Sequence, residues 1–169
     1  MTLELKIDEE ITLRQFGVAD AGAIFDLIDR NRDHLSQHND DTAGKYLSVG
    51  SVLKSIASPA NPERLRLGIW AGDDFAGSIN LTPFNGSTSF EVGYYLGSEF
   101  QGRGYMTRAV KKIVEYAFSE KKASHVFADV HPDNTASMAV LERTGFSKKG
   151  RVPEIGELFY SIYRLTTDH

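Results

Sequence analysis

The chain contains no cysteine. That excludes disulfides, thiolate metal sites and a cysteine nucleophile. It suits a reducing compartment, and the expected location is the cytoplasm. No stretch comes near the roughly 18 apolar residues that a membrane span needs, so no membrane association is expected. The opening run MTLELKIDEEITLRQF alternates and is acidic, without the basic start and apolar centre of a signal peptide. Basic residues are not in excess, and the formal net charge is −4. Nucleic-acid-binding domains are usually basic, so no direct nucleic-acid partner is expected. No internal repeat, low-complexity tract or linker stands out. What remains is a chain of 169 residues, 41% hydrophobic and 25% charged. Those figures suit one globular domain over residues 1–169 with a sizeable core.

The most informative stretch is Glu91 to Tyr116. Val92, Tyr94 and Leu96 alternate as in a strand. Gln101, Gly102, Arg103 and Gly104 break that pattern, and from Met106 the period becomes helical, with Val110, Ile113 and Ala117 on one face. Strand, glycine loop and helix make a site for phosphate. The first N–H groups of a helix lack partners, the dipole is positive there, and glycines let a ligand approach the backbone. Arg103 is placed to add a charge-assisted contact. The loop is not a Walker A sequence, which needs Gly-Lys-Ser/Thr. Nor is it a dinucleotide fingerprint, because Thr107 stands where the third glycine belongs. An ordinary strand–helix connection with a glycine cap explains the same residues.

Elsewhere, Leu3–Ile7 and Ile11–Leu13 read as strands around a turn at 8–10. Asp20 is an expected N-cap for a helix running to about Leu35. His34 and His38 have helical metal-binding spacing without a third ligand, which favours a surface pair and no metal. Thr42 is the expected cap of a second helix carrying Tyr46, Val49, Leu53 and Ile56, weakened by Gly44 and Gly50. Leu65–Trp70, Phe75–Leu81 and Ser89–Leu96 read as a three-stranded meander with a hairpin at Asn85-Gly86. His125–Val130 reads as a buried strand. Residues 134–144 read as a helix with Ala136, Val140 and Leu141 inward, closed by Gly145. Phe146 opens a short strand, and Glu157–Leu165 is the last one.

Gln101-Gly-Arg-Gly104-Tyr-Met106 resembles the Gln/Arg-x-x-Gly-x-Gly/Ala loop of the GCN5-related N-acetyltransferases, with Met106 in the last slot. Leu13-Arg14, Asn31 to Leu35, the run His131 to Ser137 and the run Leu141 to Phe146 resemble further parts of that family. They point to its ribosomal-protein N-terminal acetyltransferase branch and cover the chain from Leu13 to Leu165. The resemblance implies an α/β fold with a mixed, mostly antiparallel sheet and helices on both faces. Two parallel strands, Ser89–Leu96 and His125–Val130, would part to admit acetyl-CoA. It implies that Leu96, in a bulged strand, and Gln101, Gly102, Arg103, Gly104, Tyr105, Met106, Thr107 and Asn134 bind acetyl-CoA. Ser137 would lie near the thioester sulfur, and Glu154 or its rival Glu157 near the acceptor amine. Asn134 and Ser137 also read as a helix cap and the turn that follows it, and His131 as a turn residue in preference to a proton shuttle. The expected reaction is acetyl transfer to an amine, foremost a protein N-terminus. A small-amine acetyltransferase and a non-catalytic acyl-CoA-binding module are the alternatives. Oligomeric state stays open, a homodimer included.

Overall fold

The structure, a computed structural model, describes residues 2–84 and 86–149, and 161–166 as backbone. Among the described residues, eight strands form one sheet in the order β1-β2-β3-β4-β5-β6-β8-β7. They are β1 (Glu4–Lys6), β2 (Ile11–Gln15), β3 (Leu65–Ala71), β4 (Asp74–Pro83), β5 (Ser89–Leu96), β6 (His125–Val130), β7 (Ser147–Lys149) and β8 (Ser161–Thr166). Every described pairing is antiparallel except β5 with β6. A parallel neighbour needs a long crossover, and α5 (Tyr105–Ser119) supplies it. The mixed, mostly antiparallel α/β fold is thus as expected. The last strand begins within the stretch read from sequence; Glu157–Tyr160 lie outside the described residues.

The centre of the sheet is β4. Phe75, Ala76, Gly77, Ser78 and Ile79 are consecutive and all buried, so both pleat faces are covered. Helix α1 (Ala21–Arg30), with α4 (Val49–Ala57) against it, and α5, with α6 (Thr135–Arg143) beside it, both pack on β4. Helix α5 buries Met106, Ala109, Val110, Ile113 and Ala117, the stripe its 3.6-residue period announces.

Three sequence expectations are corrected. The first helix does not run to Leu35. It stops at Asn31, whose buried amide donates to the Leu27 carbonyl at 2.9 Å and accepts from Ser98 N at 3.0 Å and Ser98 Oγ at 2.8 Å. A short α2 (Arg32–Leu35) follows. Asp20 precedes α1 but makes no cap bond to it, because its carboxylate accepts from Gly17 N at 2.7 Å and from Arg14 at 3.2 Å. The second helix is two: α3 (Thr42–Lys45) and α4, whose start is capped by Ser48 Oγ accepting from Ser51 N at 3.1 Å. Gly145 closes α6 at φ 95°, as its position suggests.

Candidate active site

Strands β5 and β6 pair only over Ser89↔His125 to Glu91↔Phe127, although both run on beyond it. A gap therefore opens between them. The phase of the ladder decides what β5 offers to that gap. Phe84 N donates to Ser89 O at 2.9 Å and Gly97 N to Ala76 O at 2.8 Å, at the two ends of an unbroken β4–β5 register. Alternate residues of an antiparallel strand bond to the same neighbour. Odd-numbered residues of β5 thus face β4, and the N–H and C=O groups of Tyr94 and Leu96 face the gap. The bulge expected near Leu96 is absent from this ladder. The close approach falls instead on Gly77, where a Cβ would overlap the Tyr95 carbonyl oxygen and lie 2.9 Å from Leu96 Cα.

The loop beyond β5 is built for an open backbone. Gly102 has φ 79° and Gly104, the residue before α5, has φ 74°. L side chains rarely adopt those angles. A Cβ at Gly102 would meet nothing within 4 Å, and at Gly104 only Arg108 Nε at 4.0 Å. Tyr105 and Met106 bury their side chains, which leaves their N–H groups at the unsatisfied, positive end of a 15-residue helix. The loop is held from behind by Arg108. Its guanidinium meets Asp8 at 2.5 Å and Glu10 at 2.9 Å, and it donates to the Arg103 carbonyl at 3.0 Å. Within one peptide unit C=O and N–H point opposite ways. Drawing the Arg103 carbonyl toward Arg108 therefore turns the Gly104 N–H away from it.

A cavity of about 490 Å³ fills this region. Of the residues predicted for the site, Leu96, Gln101, Gly102, Gly104, Tyr105, Met106, Thr107, Asn134 and Ser137 line it together. Arg103 does not. Its guanidinium donates to the Glu99 carbonyl at 3.2 Å and lies over the Phe100 and Tyr105 rings at 5.7 and 5.9 Å. Glu154 and Glu157 lie outside the described residues. Asn134 caps α6, its Oδ1 accepting from Ser137 N at 3.1 Å. Ala136, expected to face the core, is exposed on the cavity wall. His131 accepts from Asp133 N at 3.1 Å, in keeping with a turn.

Several cavity residues carried no sequence signal of their role. Tyr94 Oη lies 2.6 Å from Ser137 Oγ. His34 Nε2 lies 3.1 Å from the Leu96 carbonyl oxygen, so that nitrogen carries the proton. It then cannot also accept from Gln101 Nε2 at 3.4 Å; turning the Gln101 amide over offers its oxygen instead. His38 is at φ 57°, off the helix that carries His34, with its ring 5.7 Å from that of His131. Among the described residues no three His, Cys, Asp or Glu side chains are grouped to hold a metal. Tyr95 also lines the cavity. Burial, together with neighbouring Tyr46, pushes its phenol well above the ordinary range, so it is a neutral donor and not a base.

A sheet splayed over a glycine loop and a helix N-terminus, with a hydroxyl pair in the gap, defines a protein that binds a phosphate-bearing ligand across its parted strands. Residues 10–147 match the family model of the acetyltransferase (GNAT) domain. The chain belongs to that family: it is a GNAT N-acetyltransferase, and its cosubstrate is acetyl-CoA. The open backbone of Gly102 and Gly104 suits the pyrophosphate of that cosubstrate. The chain is 35% identical over 149 residues to the Bacillus subtilis (strain 168) protein named "Probable N-acetyltransferase YjcK", covering 83% of this chain and 82% of the relative. It is 31% identical over 161 residues to the protein of the same organism named "Putative ribosomal N-acetyltransferase YdaF", covering 86% and 82%. A solved structure of the ribosomal L7/L12 alpha-N-protein acetyltransferase RimL in complex with coenzyme A superposes with a TM-score of 0.85. That match has 19% identity and covers 98% and 99% of the two chains. Among the described residues no helix is long and apolar enough to cross a membrane.

Proposed function

We propose that the acceptor is the N-terminal α-amine of a protein, such as a ribosomal protein. One observation carries this reading. Among the described residues the cavity wall holds a single carboxylate, Asp40, on the side of His34, Gln37 and His38. Asp40 to hold the ammonium, beside Glu154 as its base, suits a singly charged acceptor. Polyamines and aminoglycosides carry several spaced charges and call for several carboxylates. An α-amine also loses its proton near pH 7.7–8.0, against about 10.4 for lysine, so a modest base suffices. The names of YdaF and RimL support the same acceptor class.

The role of Glu154 rests on the family resemblance, and those of Leu96, Ser137 and Tyr94 draw support from their places on the cavity wall. The acceptor gives up a proton to Glu154, directly or through water. The amine nitrogen then bonds to the thioester carbonyl carbon, and the carbon–sulfur bond breaks. The Leu96 N–H faces the gap and stabilises the negative charge that develops on the carbonyl oxygen. Ser137, hydrogen-bonded to Tyr94, donates to the departing thiolate. A phenol is a better proton source than an aliphatic hydroxyl, so Tyr94 supplies the proton through Ser137.

The test is turnover with a panel of free N-terminal peptides against polyamines, amino acids and aminoglycosides, corrected for acetyl-CoA hydrolysis. The reading predicts that kcat/KM is highest for peptides. Preference for a small amine by tenfold or more would overturn it.

A further inference from the structure

We infer that Arg143, near the end of α6, is the cation that holds the pyrophosphate of coenzyme A, in the place the sequence offered to Arg103. The inference rests on acetyl-CoA as cosubstrate and is independent of the acceptor. A pyrophosphate brings negative charge, and the family loop meets it with backbone N–H groups. A charged donor beside those groups would strengthen the contact about twofold over a neutral one.

The candidates can be eliminated in turn. Arg103 lies on the loop but points away, onto the Glu99 carbonyl and two rings. Arg108 lies one turn into α5 but is matched by two carboxylates, Asp8 and Glu10. Lys112 is paired with Glu115 at 3.8 Å, and Arg30 with Glu99 at 2.8 Å. Among the described residues the cavity wall includes one Arg or Lys side chain, Arg143. Its hydrogen bonds, at 3.3 and 3.4 Å, go to a neutral group, Thr107 Oγ1. Thr107 is the third residue of α5, so the guanidinium stands over the helix turn whose N–H groups are unsatisfied. Arg143 is exposed, so it is free to turn its planar fork onto a phosphate. Helix α6 thus serves the cosubstrate at both ends, with Asn134 and Ser137 at its start and Arg143 at its close.

The experiment is calorimetric binding of a ligand series to wild type, Arg143→Gln, Arg143→Lys and Arg103→Gln. The series is coenzyme A, 3′-dephospho-coenzyme A and phosphate-free pantetheine. Arg143→Gln is expected to weaken coenzyme A and its dephospho form by the same factor, roughly ten- to a hundredfold. Pantetheine should be unaffected, Arg143→Lys should recover part of the loss, and Arg103→Gln should bind as wild type. An equal loss for pantetheine would make Arg143 a structural residue. A loss confined to coenzyme A would place it on the 3′-phosphate. A loss carried by Arg103→Gln, or none in Arg143→Gln, would also overturn the assignment. Equal melting temperatures for the four proteins keep folding out of the comparison.

Discussion

Tyr94 Oη stands 2.6 Å from Ser137 Oγ, joining the strand that parts from β6 to the first turn of α6. Two hydroxyls this close are hydrogen-bonded, and both residues line the cavity. Tyr94→Phe and Ser137→Ala should each lower kcat while leaving the Kd of coenzyme A near wild type, because the thiolate exists only late in the reaction. Each loss should be about 1–3 kcal/mol, or roughly ten- to a hundredfold. The double variant should lose little more than the worse single one, since the two act as a unit. Additive losses would show that they act separately.

Glu154→Gln addresses the base. General-base work is typically worth about 10²–10⁴-fold. The defect should shrink as pH rises toward the pKa of the acceptor amine, because free amine then forms unaided. A rate near wild type, or a defect unchanged up to alkaline pH, would remove Glu154 and bring forward Glu157 or a water held by backbone groups.

Gly104 sits at φ 74° immediately before α5, facing open space. A β-branched residue there is strained by about 1–2 kcal/mol and brings methyl groups over the loop. Gly104→Val should fold, with a lowered melting temperature, and bind acetyl-CoA at least tenfold more weakly. Unchanged affinity would make the loop a structural turn only.

The brace behind the loop predicts a pH dependence. The Ile11 backbone N–H, the Arg108 guanidinium and the Glu10 N–H hold the Asp8 carboxyl below its ordinary value. A depressed carboxylate pKa stabilises the fold above the unfolded value, about 3.9, and that stability is lost as pH falls through the folded value. Asp8→Asn should therefore melt below wild type at pH 7, and the difference should close on acidification below about pH 4. A difference constant from pH 7 to 3 would show that Asp8 contributes by hydrogen bonding alone.

How much was legible in the sequence depended on how local the cause was. Alternation and period mark β3, β5 and α5 from neighbouring residues, so their places were readable, while β4, buried on both faces, runs on to Pro83, past the Leu81 read from sequence. The glycine loop was readable because positive φ selects glycine at the position itself. Asn31 was not readable as a stop, since its partner Ser98 is 67 residues away. Arg103 and Arg143 show the same limit from two sides. Their guanidinium directions depend on Phe100 and Tyr105 in one case and on α6 packing beside α5 in the other. The His34–His38 spacing suggested one helical face, but α2 ends at Leu35 and His34 turns to the Leu96 carbonyl. Ser48 and Ser51 did carry a local signal for the α4 cap, which the reading from Thr42 passed over.

The most direct test of the central claim uses one peptide that carries both a free α-amine and an internal lysine. After incubation with the enzyme and acetyl-CoA, fragmentation mass spectrometry locates the acetyl group. The account predicts acetyl on the N-terminal nitrogen and an unmodified lysine, with no product from the same peptide blocked at its N-terminus. Acetylation of the lysine side chain, or of small amines alone, would contradict it.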